Sequence, residues 1–386
     1  MKTPGDHDVR EPDNAPTPRP IARDVFRQMP KVLLHDHLDG GLRPQTIIDL
    51  AKDDPSIVLP AHDPEELRQW FFRGANRGSL VEYLEGFAVT CGVMQTAASL
   101  ERVAYELMED MRADGVVYTE VRFAPILHLS KGLNLEQVMT AVYRGLERGK
   151  RDFGVHYGII VCALRNMDPA ISLKMAELAV AYREKGCVAF DLAGEEAGHP
   201  AKDHLEAFHY CKRENFNITI HAGEAFGPPS IWQALQYCGA HRIGHGTRLI
   251  EDMVIAGDSL VYIGTLANYV RDHRVPIEVC LQSNIHTGAA PSLEEHPFRF
   301  LVKNHFRVTL NTDNRLMSKT TMTDEYEIAH LTYGLTSRDF EKLSLNGMKS
   351  AFAHFDERLF LIYDVIKSGY RDLRYQGLID PAEAER

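Results

Sequence analysis

Histidine and aspartate side chains follow a short apolar run near the start of the chain, in a pattern that could bind a metal ion. The segment KVLLHDHLDG places His35, His37 and Asp39 at successive intervals of two residues. Side chains two apart on a β-strand point to the same face, so these three groups would project together. Two imidazoles spaced in this way can bind one metal ion, whereas paired histidines near a turn are also common on solvated surfaces.

Two other apolar segments end in side chains of the same kind. NITIHAGE contains His221, and FRVTLNTDN contains Asp313. Taken singly, the first residue is typical of a hydrogen-bonded core histidine and the second of a helix cap or turn. Their joint occurrence at matching segment ends favours a metal site, and three imidazoles with one carboxylate suit Zn²⁺. The predicted ligands are His35, His37, His221 and Asp313.

Two further groups would complete a hydrolytic site. Glu224 follows His221 by three residues and could serve as a proton donor, or it could simply cap a helix. His245, in the GHGT stretch, could hold an attacking water, or it could be a buried histidine bonded to the backbone. A zinc ion lowers the pKa of bound water to about 7, and a neighbouring acid can protonate the atom that gains electron density. The set predicts addition of water to an electrophilic carbon.

The elements that must position these groups form an alternating pattern. Helical segments with apolar residues at three- and four-residue spacing, such as 99–115, 133–154 and 171–186, separate the apolar runs. Ser99 resembles the N-cap of the first of these helices, and Gly115 resembles its stop. Alternating strands and helices predict parallel βαβ units, and polar residues at the strand ends indicate the active-site face of a (β/α)8 TIM-type barrel. The eight predicted strands are 32–37, 116–125, 155–165, 187–196, 217–224, 241–247, 276–284 and 306–314.

The chain of 386 residues predicts one barrel domain over residues 21–370. Extra helical segments between the first two strands, at 44–52, 63–73 and 79–93, could form a lid, and more helices follow residue 320. The Pro-rich and charged residues 1–20 predict a disordered tail, and residues 371–386 a C-terminal extension.

Composition excludes several classes of protein. The formal net charge of −11 disfavours nucleic-acid binding, and no run of about 18 apolar residues predicts a membrane helix. The N-terminus lacks the apolar segment of a signal peptide, and the six cysteines form no CxxC pair, which together predict a cytoplasmic protein. No HExxH, GxSxG, GxxxxGK[ST], GxGxxG or HxE…PCxxC motif is present.

The motifs HDHLDG, DLAGEE, TIHAGE, RIGHGT, LQSN and LNTDN occur in this order, and together they resemble the adenosine deaminase family of the amidohydrolase superfamily. The resemblance spans residues 31–335. It implies zinc-dependent hydrolytic deamination of adenosine and 2′-deoxyadenosine in purine salvage, with one zinc per chain and a small purine nucleoside as the binding partner. Oligomeric state is left open, a homo-oligomer included. The resemblance assigns the zinc to His35, His37, His221 and Asp313.

The resemblance also implies the catalytic roles. Glu224 would protonate purine N1 while water attacks C6, His245 would orient or deprotonate that water, and Asp313 would also hold the hydroxide. Ammonia would leave from the tetrahedral C6 adduct, and inosine would remain.

Substrate contacts are implied in the same way. Gly194 would offer its backbone to purine N3, and Asp39 would bind a ribose hydroxyl next to His37. The similarity at YLEGF places Tyr83 and Phe87 in an apolar lid over the base, although two aromatics at helical spacing are equally typical of core packing.

One residue departs from the family pattern, which has two consecutive aspartates where this chain has Asp313 and Asn314. The second aspartate normally contacts purine N7. Neutral N7 is an acceptor, and an asparagine amide can donate to it directly. The exchange is compatible with a purine, but it also leaves open another 6-aminopurine substrate such as adenine or aminodeoxyfutalosine. A non-catalytic nucleoside-binding protein is a further alternative, which the intact ligand set and Glu224 disfavour.

Replacing Asn314 by aspartate tests this interpretation. Asparagine removes one titrating group, so we expect the natural protein to be active with a flatter acid limb of kcat/KM against pH than Asn314→Asp. The two profiles are compared on the same substrate. Identical profiles would contradict the assigned N7 contact.

Overall fold

A computed structural model describes residues 20–52, 54–78, 80–257 and 259–381 of the chain. Over these residues it contains ten β-strands, which are β1 (Lys31–His37), β2 (Val116–Phe123), β3 (His156–Leu164), β4 (Cys187–Ala193), β5 (Asn217–Ala222), β6 (Arg242–His245), β7 (Met253–Ala256), β8 (Ser259–Ile263), β9 (Ile277–Val279) and β10 (Val308–Leu310). Eight of them pair in parallel in the order β1-β2-β3-β4-β5-β6-β9-β10. The predicted (β/α)8 barrel is therefore confirmed.

The two ends of this sheet meet at Asp313. The His37 backbone N–H donates to the Asp313 carbonyl at 2.9 Å, and the Asp313 N–H donates to the His35 carbonyl at 2.9 Å. Asp36 and Asp313 form a parallel bridge at the same point. The residues that bring β1 and β10 together are thus also predicted metal ligands or their chain neighbours.

Seventeen α-helices of the described residues surround the barrel or extend it. They are α1 (Arg23–Gln28), α2 (Pro44–Lys52), α3 (Pro64–Ala75), α4 (Leu80–Leu84), α5 (Phe87–Val93), α6 (Ala97–Ala113), α7 (Leu135–Phe153), α8 (Pro169–Ala181), α9 (Leu205–Arg213), α10 (Pro228–Gln233), α11 (Thr265–Asp272), α12 (Leu281–His286), α13 (Phe298–Lys303), α14 (Met322–Tyr333), α15 (Ser337–Ser350), α16 (Phe355–Phe360) and α17 (Lys367–Tyr375). The extra helices expected between the first two strands and at the C-terminus are present.

Helix starts follow ordinary capping chemistry. α7 begins after Asn134, whose side chain accepts from the Gln137 N–H while the Gln137 side chain accepts from the Asn134 N–H. The predicted cap of α6 was wrong by three residues. Thr96 is its N-cap, and Ser99 is the reciprocal partner inside the first turn.

Three other sequence expectations need correction. The described part of the predicted segment 79–93 is two short helices, α4 and α5, with Gly86 as the N-cap of the second. The strand predicted over 276–284 ends at Val279, because LQSNIH turns into α12. The antiparallel hairpin of β7 and β8 was not expected, and its apolar residues Val254, Val261 and Tyr262 are exposed.

The interior of the barrel contains paired charges among its apolar side chains. Glu278 on β9 accepts from Arg122 Nη2 at 2.8 Å and from Arg242 Nε at 2.6 Å, and all three are at most 1% exposed. Burial alone would raise the pKa of Glu278, but the two guanidinium groups hold that pKa well below its usual range. A buried carboxylate paired in this way stays ionised and can accept further hydrogen bonds.

Most of the predicted tail lies outside the described residues, as does the end of the predicted C-terminal extension. The predicted boundary at residue 370 falls inside α17, and the division of the chain stays a prediction. None of the helices described is both long and apolar enough to span a lipid bilayer.

Candidate active site

A cavity of about 220 Å³ opens at the carboxyl ends of the barrel strands, partly under α4 and α5. Most of the site residues predicted from sequence line it. They are His37, Asp39, Tyr83, Phe87, Gly194, His221, Glu224, His245, Asp313 and Asn314. His35, which is fully buried, lies behind this wall with its ring edge against His221 and His245. The fold therefore brings all of the predicted site residues to one place.

Imidazole nitrogens and one carboxylate oxygen converge at the floor of the cavity. Asp313 Oδ1 lies 3.3 Å from His35 Nε2 and 3.3 Å from His37 Nε2. His37 Nε2 lies 3.2 Å from His221 Nε2. Donor atoms that share one metal ion stand at about this separation, because Zn–N and Zn–O bonds are roughly 2.0–2.2 Å long.

Outer hydrogen bonds decide which nitrogens carry lone pairs. His35 Nδ1 lies 2.9 Å from Glu278 Oε2, and His221 Nδ1 lies 3.0 Å from Asp191 Oδ2. Both carboxylates accept only, so each Nδ1 carries the hydrogen and each Nε2 presents a lone pair to the cavity floor. Metal-binding histidines are usually oriented by such contacts.

The ring nitrogens at the floor face one another and the Asp313 carboxylate. His35 Nε2 is buried and has no hydrogen-bond partner. Burial lowers the pKa of His37 and of His221, so that neither imidazole brings an extra proton to this place. Burial would lower the pKa of His35 as well, but Asp313 and Glu278 face its two ring nitrogens, outweigh the effect of burial and raise that pKa instead. A metal cation would take the place of the proton between His35 Nε2 and the Asp313 carboxylate. The residues present fit a bound metal ion.

Five donor groups, not four, surround this point. One donor atom each from His35, His221, His245 and Asp313 lie within 4.8 Å of one another, a set that contains His245 in place of His37. His245 has partners of its own, however. Its Nδ1 lies 3.0 Å from Asn284 Nδ2, and its Nε2 lies 3.5 Å from Glu224 Oε2. The closer donor distances of His37 make it the better match to the three other predicted ligands.

Backbone conformation aims two of these side chains. Asp313 and His245 both have φ of 61°, a left-handed conformation that residues other than glycine rarely adopt. His245 ends β6, and Asp313 lies three residues after the end of β10. Such strain is retained where the surrounding structure and function require it. Ser283 Oγ additionally donates to Asp313 Oδ2 at 2.6 Å.

Glu224 stands beside the cavity floor with a carboxyl group that is 5% exposed. Its Oε1 is buried without a hydrogen-bond partner. Burial raises the pKa of Glu224 well above its usual value, and the negative charge of Asp313 adds to this effect. Burial therefore favours the neutral carboxylic acid form of Glu224, which can donate a proton.

The turn that carries Glu224 is held by a second carboxylate. Glu196 accepts the backbone N–H groups of the four successive residues 223–226, at 2.6–3.0 Å. Arg165 Nη2 donates to the His221 carbonyl just before this turn. These contacts satisfy backbone groups that neither β5 nor α10 can pair.

A second polar place lies around Asp39. Asp39 Oδ1 and His128 Nε2 are both buried without a hydrogen-bond partner, and His128 Nε2 is 4.0 Å from Asp39 Oδ2. Burial raises the pKa of Asp39 to about 7. Asp39 lines the cavity, so its unpartnered oxygen offers a ligand a second hydrogen-bonding point beside the converged nitrogens.

The remaining predicted contacts also have defined positions. Gly194 has φ of 95°, which a side chain would disfavour. Asn314 is 4% exposed with its Oδ1 unpartnered, and a Cβ at Gly40 would lie only 1.8 Å from that atom. Tyr83 is held by Ser318 at 2.9 Å, and the Phe87 ring lies 6.5 Å from the His37 ring.

Sequence reasoning missed the residues that hold the predicted ligands. Asp191, Glu278 and Arg122 all lie within buried strands. Charged residues are almost never fully buried unless they are paired, so a charge inside an apolar run was the available signal. Their partners, however, lie 69 and 156 residues away in the chain.

Comparison with known proteins gives a consistent result. The model of the family described as adenosine deaminase matches residues 30–368. The chain is similar to adenosine deaminase 1 of Streptomyces coelicolor, with 54% identity over 94% of this chain and 91% of that protein. It is also similar to the adenosine deaminase of Mycobacteroides abscessus, with 52% identity over 89% of this chain and 96% of that protein. Among solved structures, an adenine deaminase from Arthrobacter aurescens superposes with a TM-score of 0.80 at 25% identity, over 89% of this chain and 99% of that one.

Proposed function

The chain belongs to the adenosine deaminase family, and we propose that it hydrolyses the 6-amino group of adenosine and 2′-deoxyadenosine, releasing ammonia and leaving inosine or deoxyinosine. The observation that carries this proposal is the floor of the cavity. Ring nitrogens of His35, His37 and His221 and a carboxylate oxygen of Asp313 converge there, and Glu224, whose pKa burial raises well above its usual value, lines the same cavity.

His35, His37, His221 and Asp313 would hold one Zn²⁺. A zinc ion at such a site acts as a Lewis acid that makes water nucleophilic near neutral pH. Three imidazole nitrogens and one carboxylate oxygen would suit zinc better than Mg²⁺ or Ca²⁺, which prefer six or more oxygen ligands. His245 is left outside the ligand set, where it can contact the attacking water.

The chain's own residues would move the protons. Glu224 donates its proton to purine N1, which makes C6 more electrophilic as the water oxygen adds to it. The turn held by Glu196 keeps Glu224 in place for this step. The C6–N bond then breaks as the C6 hydroxyl becomes the carbonyl of the product, the hydroxyl proton leaves with the amino group as ammonia, and the product keeps the proton on N1.

The substrate would be oriented from both ends of the cavity. Asp39 accepts a ribose hydroxyl, which the unpartnered Oδ1 of that residue supports. The Gly194 backbone and the Asn314 amide contact the purine edge at N3 and N7, while Tyr83 and Phe87 cover its face. Their positions on the cavity wall support these assignments.

Adenine is the main alternative substrate, because the fold is also that of the Arthrobacter adenine deaminase. The higher identity of the relatives named adenosine deaminase favours a nucleoside. Asp39 favours it as well, since a free base has no hydroxyl group for this residue to bind.

A substrate panel tests the proposed function. Purified protein of known zinc content is given adenosine, 2′-deoxyadenosine or adenine, and ammonia release is measured. We expect the two nucleosides to be turned over with kcat/KM at least about tenfold above that for adenine, because the Asp39 contact is lost with the free base. Preferential turnover of adenine would contradict the nucleoside assignment, and absence of ammonia from all three would contradict the proposed reaction.

Replacing Glu224 by glutamine tests its role as the acid. The amide cannot donate a proton to N1, so we expect kcat to fall by about 10²–10⁴-fold. Metal content should be unchanged, because the ligands are intact. Glu206→Gln, which alters an exposed carboxylate on α9, is the matched control and should keep normal kcat. A Glu224→Gln variant with normal kcat would rule out the assigned role.

A further inference from the structure

A row of buried polar groups lies behind His245 and leads away from the cavity. His245 Nδ1 contacts Asn284 Nδ2 at 3.0 Å, and Asn284 Oδ1 contacts His296 Nε2 at 3.1 Å. His296 Nδ1 in turn contacts the backbone N–H of Phe298 at 3.0 Å. These three side chains are at most 3% exposed. Water therefore does not compete for their hydrogen bonds.

The outer end of the row has an unambiguous direction. The Phe298 backbone N–H can only donate, so His296 Nδ1 must accept and carries no hydrogen. Burial also lowers the pKa of His296 to about 3, so the ring is neutral and its one hydrogen is on Nε2. The His296 Nε2–H then donates to Asn284.

This donor orients the Asn284 amide. Asn284 Oδ1 accepts from His296 Nε2 and also from the Thr247 hydroxyl at 3.0 Å. An amide turned the other way would place its NH2 group against the His296 N–H, and two donors would face each other. The Asn284 NH2 group must therefore point at His245.

We propose that Asn284 and His296 are positioning residues, which fix His245 as the neutral tautomer with its hydrogen on Nε2. His245 Nδ1 accepts from Asn284, so it cannot carry the hydrogen. The Nε2–H then points toward the cavity, where Glu224 Oε2 lies 3.5 Å away. In this state His245 is a hydrogen-bond donor and not a proton acceptor.

This assignment, which rests on the proposed deamination for its catalytic meaning, decides between two roles. His245 donates a hydrogen bond to the oxygen of the attacking water and orients it, but it does not remove its proton. Glu224 gives its proton to N1 and, as the resulting carboxylate, takes the proton that the water oxygen loses when the O–C6 bond forms. Water is thereby added across N1 and C6, and Glu224 returns to its protonated state.

Nitrogen-15 NMR of the zinc-loaded protein measures the tautomer directly. Imidazole nitrogens with and without a hydrogen resonate in separate regions, and the His245 signals are assigned by their loss in His245→Gln. We expect His245 Nε2 to be the protonated nitrogen and Nδ1 the unprotonated one. The reverse pattern, or a ring protonated on both nitrogens at neutral pH, would overturn the proposal.

Replacing Asn284 by aspartate provides a kinetic test at nearly constant shape. A carboxylate facing Nδ1 moves the hydrogen to that nitrogen, and the donor toward the water is lost. We expect kcat to fall about 10²-fold, as when one donor to a reacting oxygen is removed, while KM stays within about threefold and zinc content is unchanged. An unchanged kcat would overturn the proposal. If this variant does not fold, the NMR measurement on the natural protein decides by itself.

His296 offers a matched pair of variants. Glutamine can place an N–H near the position of His296 Nε2, whereas leucine has no donor and leaves Asn284 free to turn. We expect His296→Gln to keep kcat within about threefold and His296→Leu to lose at least about tenfold, since only the first retains the donor. Equal losses of kcat in both variants would overturn the proposed positioning role of His296 and Asn284.

The tautomer measurement needs no substrate, so it separates this inference from the proposed function. If the natural protein shows the expected tautomer but deaminates no nucleoside, the proposed function is refuted and the positioning role of Asn284 and His296 stands. If the protein deaminates adenosine but His245 carries its hydrogen on Nδ1, only the positioning role of Asn284 and His296 is refuted.

Discussion

Two backbone hydrogen bonds at Asp313 hold the first and last barrel strands together, and the rest of the site depends on them. The Asp313 backbone N–H donates a hydrogen bond to the His35 carbonyl, and the Asp313 carbonyl accepts one from the His37 N–H. Closure of the barrel therefore places the Asp313 carboxylate 3.3 Å from the Nε2 atoms of two imidazoles. The register in which β1 meets β10 therefore also fixes the relative positions of these three predicted metal ligands.

Buried ion pairs in the barrel interior also help to position the predicted ligands. Glu278 accepts from His35 and from Arg122, and Arg122 also donates to Asp191, which orients His221. A buried charge is costly to remove from water, and it is tolerated only when it is paired and hydrogen-bonded. Here the paired charges orient the rings of two predicted ligands, His35 and His221. We infer that the interior ion pairs are retained for the geometry of the site as much as for stability.

Much of this site could be predicted from sequence, because its ligands stand at strand ends. His35, His37, His221 and Asp313 each follow an apolar run, and parallel strands bring such ends to one face. The groups that orient them could not be predicted in the same way. Asn284 and His296 contribute through directed hydrogen bonds. Asn284 belongs to the LQSN motif and His296 lies between two predicted strands, but neither position indicates which group its side chain faces. The predicted start of α6 was wrong for a similar reason. The choice between Thr96 and Ser99 as its N-cap depends on a side-chain contact between these two residues.

Metal titration of the chelator-treated protein tests the central claim most directly. Zinc is added in increments to the apoprotein, and ammonia release from adenosine is followed at each step. If one ion binds among His35, His37, His221 and Asp313, activity should rise in proportion to zinc and level off at one equivalent per chain. Full activity of the metal-free protein, or a requirement for two equivalents, would contradict the account.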